Sequence, residues 1–92
     1  MPYSRASLPI ASLQGLGPKS ADWLRSVGIA TESDLRECGA VVAYLRVMQA
    51  GHQPGRNLLW ALHGALEGKA WTAVSQREKS KLLAELAELQ GN

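Results

Sequence analysis

The chain has 92 residues, enough for one small domain. Residues 1–7 are expected to form a flexible N-terminus, and residues 8–90 one helical domain. The formal net charge is only +2, with basic and acidic residues mixed along the chain, so any contact with DNA must be local. Leu and Ala dominate and period-two apolar runs are absent, which favours helix over sheet. A single cysteine, Cys38, excludes an internal disulfide, and no apolar run reaches membrane-spanning length, so a cytoplasmic setting is expected.

The first predicted feature is a tight glycine hairpin. Gly15 and Gly17 can both adopt the positive φ that a sharp reversal needs, and Pro18 suits the first position of a helix. Between the glycines, Leu16 points back into the protein. A short helix is predicted over residues 9–13, so the hairpin should join two helices.

This arrangement resembles the helix-hairpin-helix (SAM-like) motif of DNA repair and replication proteins. The amides at the start of the second helix carry partial positive charge and attract phosphate. The alternative is that the hairpin only joins two core helices. The candidate DNA-binding residues are Gly15, Gly17, Lys19, Ser20 and Arg25.

The second helix is predicted to end at Gly28, a residue type that favours the left-handed conformation after a helix. Thr31 and Asp34 approximate a capping box that starts a third helix. Gly39 marks a stop or a bend, and residues 40–50 form a fourth helix with one apolar face.

A fifth helix is predicted to begin at Asn57 as its cap. It is apolar nearly all round, which indicates a central, buried position. Gly64 lies inside it, which suggests that another helix passes close by, and Gly68 ends it. Trp71 is expected to anchor the connection that follows by filling the core.

The last helix starts at a capping box formed by Ser75 and Glu78 and runs to about residue 90. Four leucines form its predicted inward stripe: Leu82, Leu83, Leu86 and Leu89. The predicted fold is therefore an all-α globule of five or six helices.

Catalytic and ligand-binding patterns are missing. His52 and His63 have no cysteine or acid at ligand spacing, which argues against a zinc site. The serines lack a nucleophile-turn context, and the glycine turn is too short for a nucleotide P-loop. A nucleophilic role for Lys19 would need an additional acid in a larger domain. No enzyme activity, cofactor, metal or small-molecule substrate is expected.

Three motifs in this order resemble the C-terminal domain of the TfoX/Sxy family, bacterial regulators of natural DNA transformation. They lie at residues 13–24, 27–44 and 57–68. In full-length members an N-terminal α/β domain precedes this one, so the chain is expected to be a stand-alone version or an excised piece of a longer member. The resemblance implies a coactivator of competence genes that works with a cyclic-AMP receptor-type activator. The family's Leu-Glu-Gly-Ala in the central helix has His63 in place of the acid.

Two functions stay open at this point. The first is a regulatory module that binds DNA weakly and without sequence specificity through the glycine hairpin. The second is a protein-interaction module that binds a transcription regulator or forms a homodimer, without contact to DNA. A tryptophan exposed within an apolar patch would favour the second.

Overall fold

A computed structural model describes residues 8–91 of the chain. The predicted flexibility of residues 1–7 concerns residues outside this range. Within it the architecture is all-α, as predicted, with no strand. There are four α-helices, fewer than the five or six expected: α1 Pro18–Ser26, α2 Glu32–Gln49, α3 Arg56–Glu67 and α4 Gln76–Leu89. Two short 3-10 turns, Ile10–Ser12 and Trp71–Ala73, complete the regular structure of this part of the chain.

The predicted first helix of the hairpin motif is only the three-residue turn Ile10–Ser12. Backbone pairing with a distant segment replaces helical hydrogen bonds here. The Ile10 amide donates to the Ala30 carbonyl at 2.9 Å, and the Glu32 amide donates to the Leu8 carbonyl at 2.8 Å. These bonds hold the entering chain extended against the start of α2, so a helix–hairpin–helix with two α-helices is not formed.

The bend predicted at Gly39 is confirmed and explains part of the lower helix count. Gly39 has φ +85° and ψ 162°, a backbone conformation that residues with a side chain rarely adopt. The two segments predicted as separate helices therefore continue through one kink as α2.

Both predicted capping boxes are present. The Thr31 hydroxyl accepts from the Asp34 amide, and the Asp34 carboxylate accepts from the Thr31 amide. Ser75 and Glu78 make the same reciprocal pair at the start of α4. Each box fixes where its helix begins because it satisfies two of the unpaired donors at that end.

Helix α3 lies at the centre of the core, as its apolar sequence predicts. Five consecutive residues from Leu58 to Leu62 are buried. The other helices contribute large apolar side chains to the same core: Leu24 from α1, Leu35, Val41, Tyr44 and Val47 from α2, and Leu82 and Leu86 from α4. Ile10 and Ile29, from the connecting segments, are fully buried as well.

Three expectations about the second half of the chain are wrong. The backbone close to Gly64 belongs to the loop at residues 69–71, not to another helix. Trp71 does not fill the core, since 37% of its surface is exposed, because it sits on the outer 3-10 turn. Leu89 is 51% exposed, so the buried stripe of α4 ends at Leu86. Within residues 8–91, every helix is too short or too polar to cross a lipid bilayer.

Candidate nucleic-acid interface

The glycine hairpin has the predicted sharp reversal, but one glycine produces it. Gly15 has φ +88°, whereas Gly17 has φ −80° and ψ 176°, an extended conformation open to any residue. Leu16 between them is buried, as expected. Gly17 is the N-cap of α1 and Pro18 is its first residue.

Among the described residues, the amides at the start of α1 have no hydrogen-bond acceptor. Gly17 has no side chain to accept from them, and Pro18 has no N–H. Within residues 8–91, no oxygen accepts a hydrogen bond from the amides of Lys19 and Ser20. The first turn also contains no acid, so the partial positive charge of this helix end is not neutralised locally.

The predicted cations lie in different places. Lys19 is exposed in the first turn of α1, with its ammonium 5.2 Å from the centre of the Trp23 ring. Arg25 is in the last turn and forms an ion pair with Asp22. Arg25 lies six positions after Lys19, so the two residues are separated by roughly 9 Å along the helix axis. The structure therefore brings Gly15, Gly17, Lys19 and Ser20 together and leaves Arg25 apart.

The sequence did not predict that a second helix begins close to the glycine hairpin. Helix α3 begins at Arg56 with Gly55 as its N-cap, so the expected cap at Asn57 is wrong. Gly55 has φ −72° and ψ 165°, makes no side-chain cap, and is followed by a first turn without acids. The sequence signal for this site is a glycine followed within two residues by a basic residue at a helix start, as in Gly55-Arg56 and in Gly17-Pro18-Lys19.

The first turns of α1 and α3 both contribute to the lining of one cleft of about 400 Å³, while Gly17, Lys19 and Arg56 lie outside that lining. Gly15 and Ser20 come from the hairpin and α1, and Gly55 and Asn57 come from the start of α3. Apolar residues of α3 and two tryptophans complete the lining: Leu58, Ala61, Trp23 and Trp71.

Helices α2 and α4 differ from α1 and α3 because their own acids occupy their N-termini. Amide hydrogen bonds from Ala30 and Thr31 hold the pKa of the Asp34 carboxyl below its usual value. An anion can therefore approach the N-termini of α1 and α3, which carry no side-chain cap. At the N-termini of α2 and α4 a carboxylate of the protein already occupies that position.

A second cavity, of about 380 Å³, lies between the kink of α2, the end of α3, and α4. Glu78 lies at its edge, 2.8 Å from the Nε2 of His63 and 2.8 Å from the Nζ of Lys69. The Lys69 ammonium, the Ser75 amide and His63 hold the pKa of Glu78 far below its usual value. These bonds tie α4 to the end of α3, so this cluster is structural.

Cys38 lines the same cavity. Burial raises the pKa of its thiol, which disfavours the reactive thiolate form. Within the described part of the chain, no group of His, Cys, Asp and Glu side chains could hold a metal ion.

Comparison with known families agrees with this architecture. Residues 7–86 match the TfoX C-terminal domain, so the chain belongs to that family. It is a family of regulatory domains and not of enzymes.

One solved structure is similar over nearly the whole chain. It is the crystal structure of an uncharacterised protein from Listeria monocytogenes, with a TM-score of 0.79 and 26% sequence identity. The similarity covers 91% of this chain and 96% of that one. No curated protein matches the chain.

Proposed function

We propose that this domain is a non-enzymatic regulatory module of the competence-regulator type that binds the phosphate backbone of DNA at the shared cleft. One observation carries the proposal: α1 and α3 both begin with a glycine cap and no acid, and a residue from the first turn of each, Ser20 and Asn57, lines the same cleft. Uncapped helix N-termini are established sites for phosphate groups. A bacterial regulator of this kind acts in the cytoplasm.

The charges near the cleft set the expected strength of binding. Lys19 and Arg56 are exposed in the first turns of α1 and α3. Two neutralised phosphates give a slope of about −2 for log K against log salt, so binding is weak and needs low ionic strength. No row of base-reading polar side chains accompanies them, which supports binding without sequence specificity.

The sharpest test uses Gly17. Its backbone is extended, and a side chain there would meet no atom within 4 Å. Asp and Ser are both good N-caps, so Gly17→Asp and Gly17→Ser should fold at least as stably as the wild type. We expect Gly17→Asp to weaken duplex DNA binding about tenfold or more, because it places a carboxylate where the phosphate would lie. The neutral Gly17→Ser should weaken binding less.

A second pair of variants controls for net charge. Lys19→Glu should weaken binding and reduce the salt slope, whereas Arg36→Glu, which makes the same charge change on α2, should have little effect. Fluorescence anisotropy with a labelled duplex at low salt measures both. Equal binding by the wild type, Gly17→Asp and Lys19→Glu would contradict the proposal.

The alternative function is a protein-interaction module, and one observation favours it. Leu89 is 51% exposed beside the second cavity, whose other walls include Val42 and Leu66. Pairing with a second copy would cover this surface. Light scattering over a range of concentrations tests it: a dimer that Leu89→Lys dissociates would support self-association, and a strict monomer would contradict it.

A further inference from the structure

Trp71 lines the cleft and remains partly exposed to solvent. It starts the 3-10 turn Trp71–Ala73 and keeps 37% of its surface exposed. Its Cδ1 atom would lie 3.8 Å from a methyl group placed on Gly15, so the indole rests against the hairpin. A large aromatic ring in this state is positioned to contact a ligand.

The cleft is also lined by Trp23, whose ring already has partners. It stacks on His52 with 5.0 Å between ring centres and an angle of 20°, and the Lys19 ammonium lies over it. The Trp23 ring is therefore held in place by its neighbours. Trp71 is the more exposed of the two tryptophans that line the cleft.

The remaining lining suits a flat ligand with polar edges. Ser20 and Asn57 provide hydrogen-bond donors and acceptors, and Leu58 and Ala61 provide apolar surface. Among the described residues, the lining of this cleft has no charged side chain of either sign, whereas Glu67, Glu78 and Glu85 all line the other cavity. The exposed cations Lys19 and Arg56 lie in the first turns of the two helices that contribute to the cleft, which favours an anionic ligand over a neutral peptide.

We propose that the cleft accepts an unpaired nucleobase that stacks on Trp71, so that the domain prefers single-stranded DNA to duplex. Stacking on an aromatic side chain is available to any base that is not already stacked in a helix. The hydrogen-bonding groups of Ser20 and Asn57 face the polar edge of the base. This inference deepens the proposed function and rests on it, because the same cleft contacts the phosphates.

Three ligands of equal length separate base from phosphate. They are a short oligothymidylate, an abasic strand with the same phosphates, and a duplex, each titrated against the full chain by anisotropy and tryptophan fluorescence. We expect the oligothymidylate to bind at least about fivefold more tightly than the abasic strand or the duplex. It should also quench Trp71, since Trp60 is buried and Trp23 is stacked on His52.

Matched variants of Trp71 test the stacking itself. Trp71→Tyr keeps a flat ring and should keep the preference, whereas Trp71→Leu keeps apolar bulk and should abolish the preference for the oligothymidylate over the abasic strand. Circular dichroism and thermal melts check that both variants fold.

Each other outcome overturns the inference. Equal affinity for the oligothymidylate and the abasic strand would contradict base stacking and leave the proposed function standing. A preference that survives in Trp71→Leu would place the base elsewhere. An oligoproline peptide that quenches Trp71 and displaces the strand would identify the cleft as a peptide groove. No binding of any of the three nucleic acids would refute the proposed function and this inference together.

Discussion

Replacing Gly64 with alanine should destabilise the domain, although the same change in an ordinary helix interior stabilises it. The new methyl group would lie 2.5 Å from the Lys69 carbonyl oxygen, and 3.4 Å from both the Ala70 carbonyl carbon and the Trp71 nitrogen. All three atoms belong to the backbone, so no side chain can rotate away. The loop at residues 69–71 must move instead.

The magnitude follows from two opposing terms. Alanine gains about 1 kcal/mol over glycine in helix propensity. Overpacking of this kind costs about 1–3 kcal/mol, and here it also strains the bond from the Lys69 amide to the Gly64 carbonyl, which is 2.9 Å long. Because the obstructing atoms are backbone, we expect the upper part of that range, for a net loss of about 1–2 kcal/mol.

Thermal and urea unfolding followed by circular dichroism measure this difference. For a domain of this size, the expected loss lowers Tm by roughly 4–15 °C. Gly17→Ala is the matched control, because its methyl group meets no atom within 4 Å, and its stability should stay within about 0.5 kcal/mol of the wild type. A Gly64→Ala variant as stable as the wild type would refute the argument.

Three further predictions concern the helices. Gly39→Ala should cost about 1–3 kcal/mol in unfolding free energy through backbone strain alone, because the space around it is open; an unchanged urea midpoint would contradict this. Leu86→Ala should cost about 2 kcal/mol or more, whereas Leu89→Ala should cost under about 0.5 kcal/mol; equal losses in thermal melts would contradict the burial difference. Glu78→Gln should destabilise the domain at neutral pH, and its deficit should shrink as pH falls below the ordinary glutamate pKa of 4.5, because the lowered pKa of Glu78 stabilises the fold only while the carboxylate is ionised. A deficit that stays constant down to low pH would contradict that assignment.

Local sequence signals predicted the helix boundaries where one short segment contains the whole cause. Thr31 with Asp34 and Ser75 with Glu78 are three residues apart, so each box can be identified from the sequence. Gly68 likewise ends α3 in the left-handed conformation expected of a glycine.

Predictions failed where a distant segment decides the local structure. The turn at Ile10 is short because the backbone of Ile10 pairs with Ala30 and that of Leu8 pairs with Glu32, and nothing near residue 10 indicates this pairing. The burial of Trp71 was misjudged because tryptophan is usually buried, while its actual position depends on the loop that crosses Gly64.

The candidate site was half predictable for the same reason. Lys19 and Ser20 lie beside the glycine hairpin in sequence, so the motif identifies them. Gly55 and Asn57 line the same cleft as Ser20, although they follow it by 35 residues or more along the chain. A cleft between two helix ends depends on tertiary packing, which a local motif does not contain.

The attachment of α4 has a consequence for hydrogen exchange. This helix buries only Leu82 and Leu86, and its firmest ties, the bonds of Glu78 to Lys69 and His63, are all in the first turn. Amide protection should therefore decline steadily toward residue 90, with the helix fraying from its free end while the anchored end stays closed. We expect each such opening to uncover part of the surface around Leu66 and Val42. The cavity beside α4 is then larger while the end of the helix is open than while it is closed.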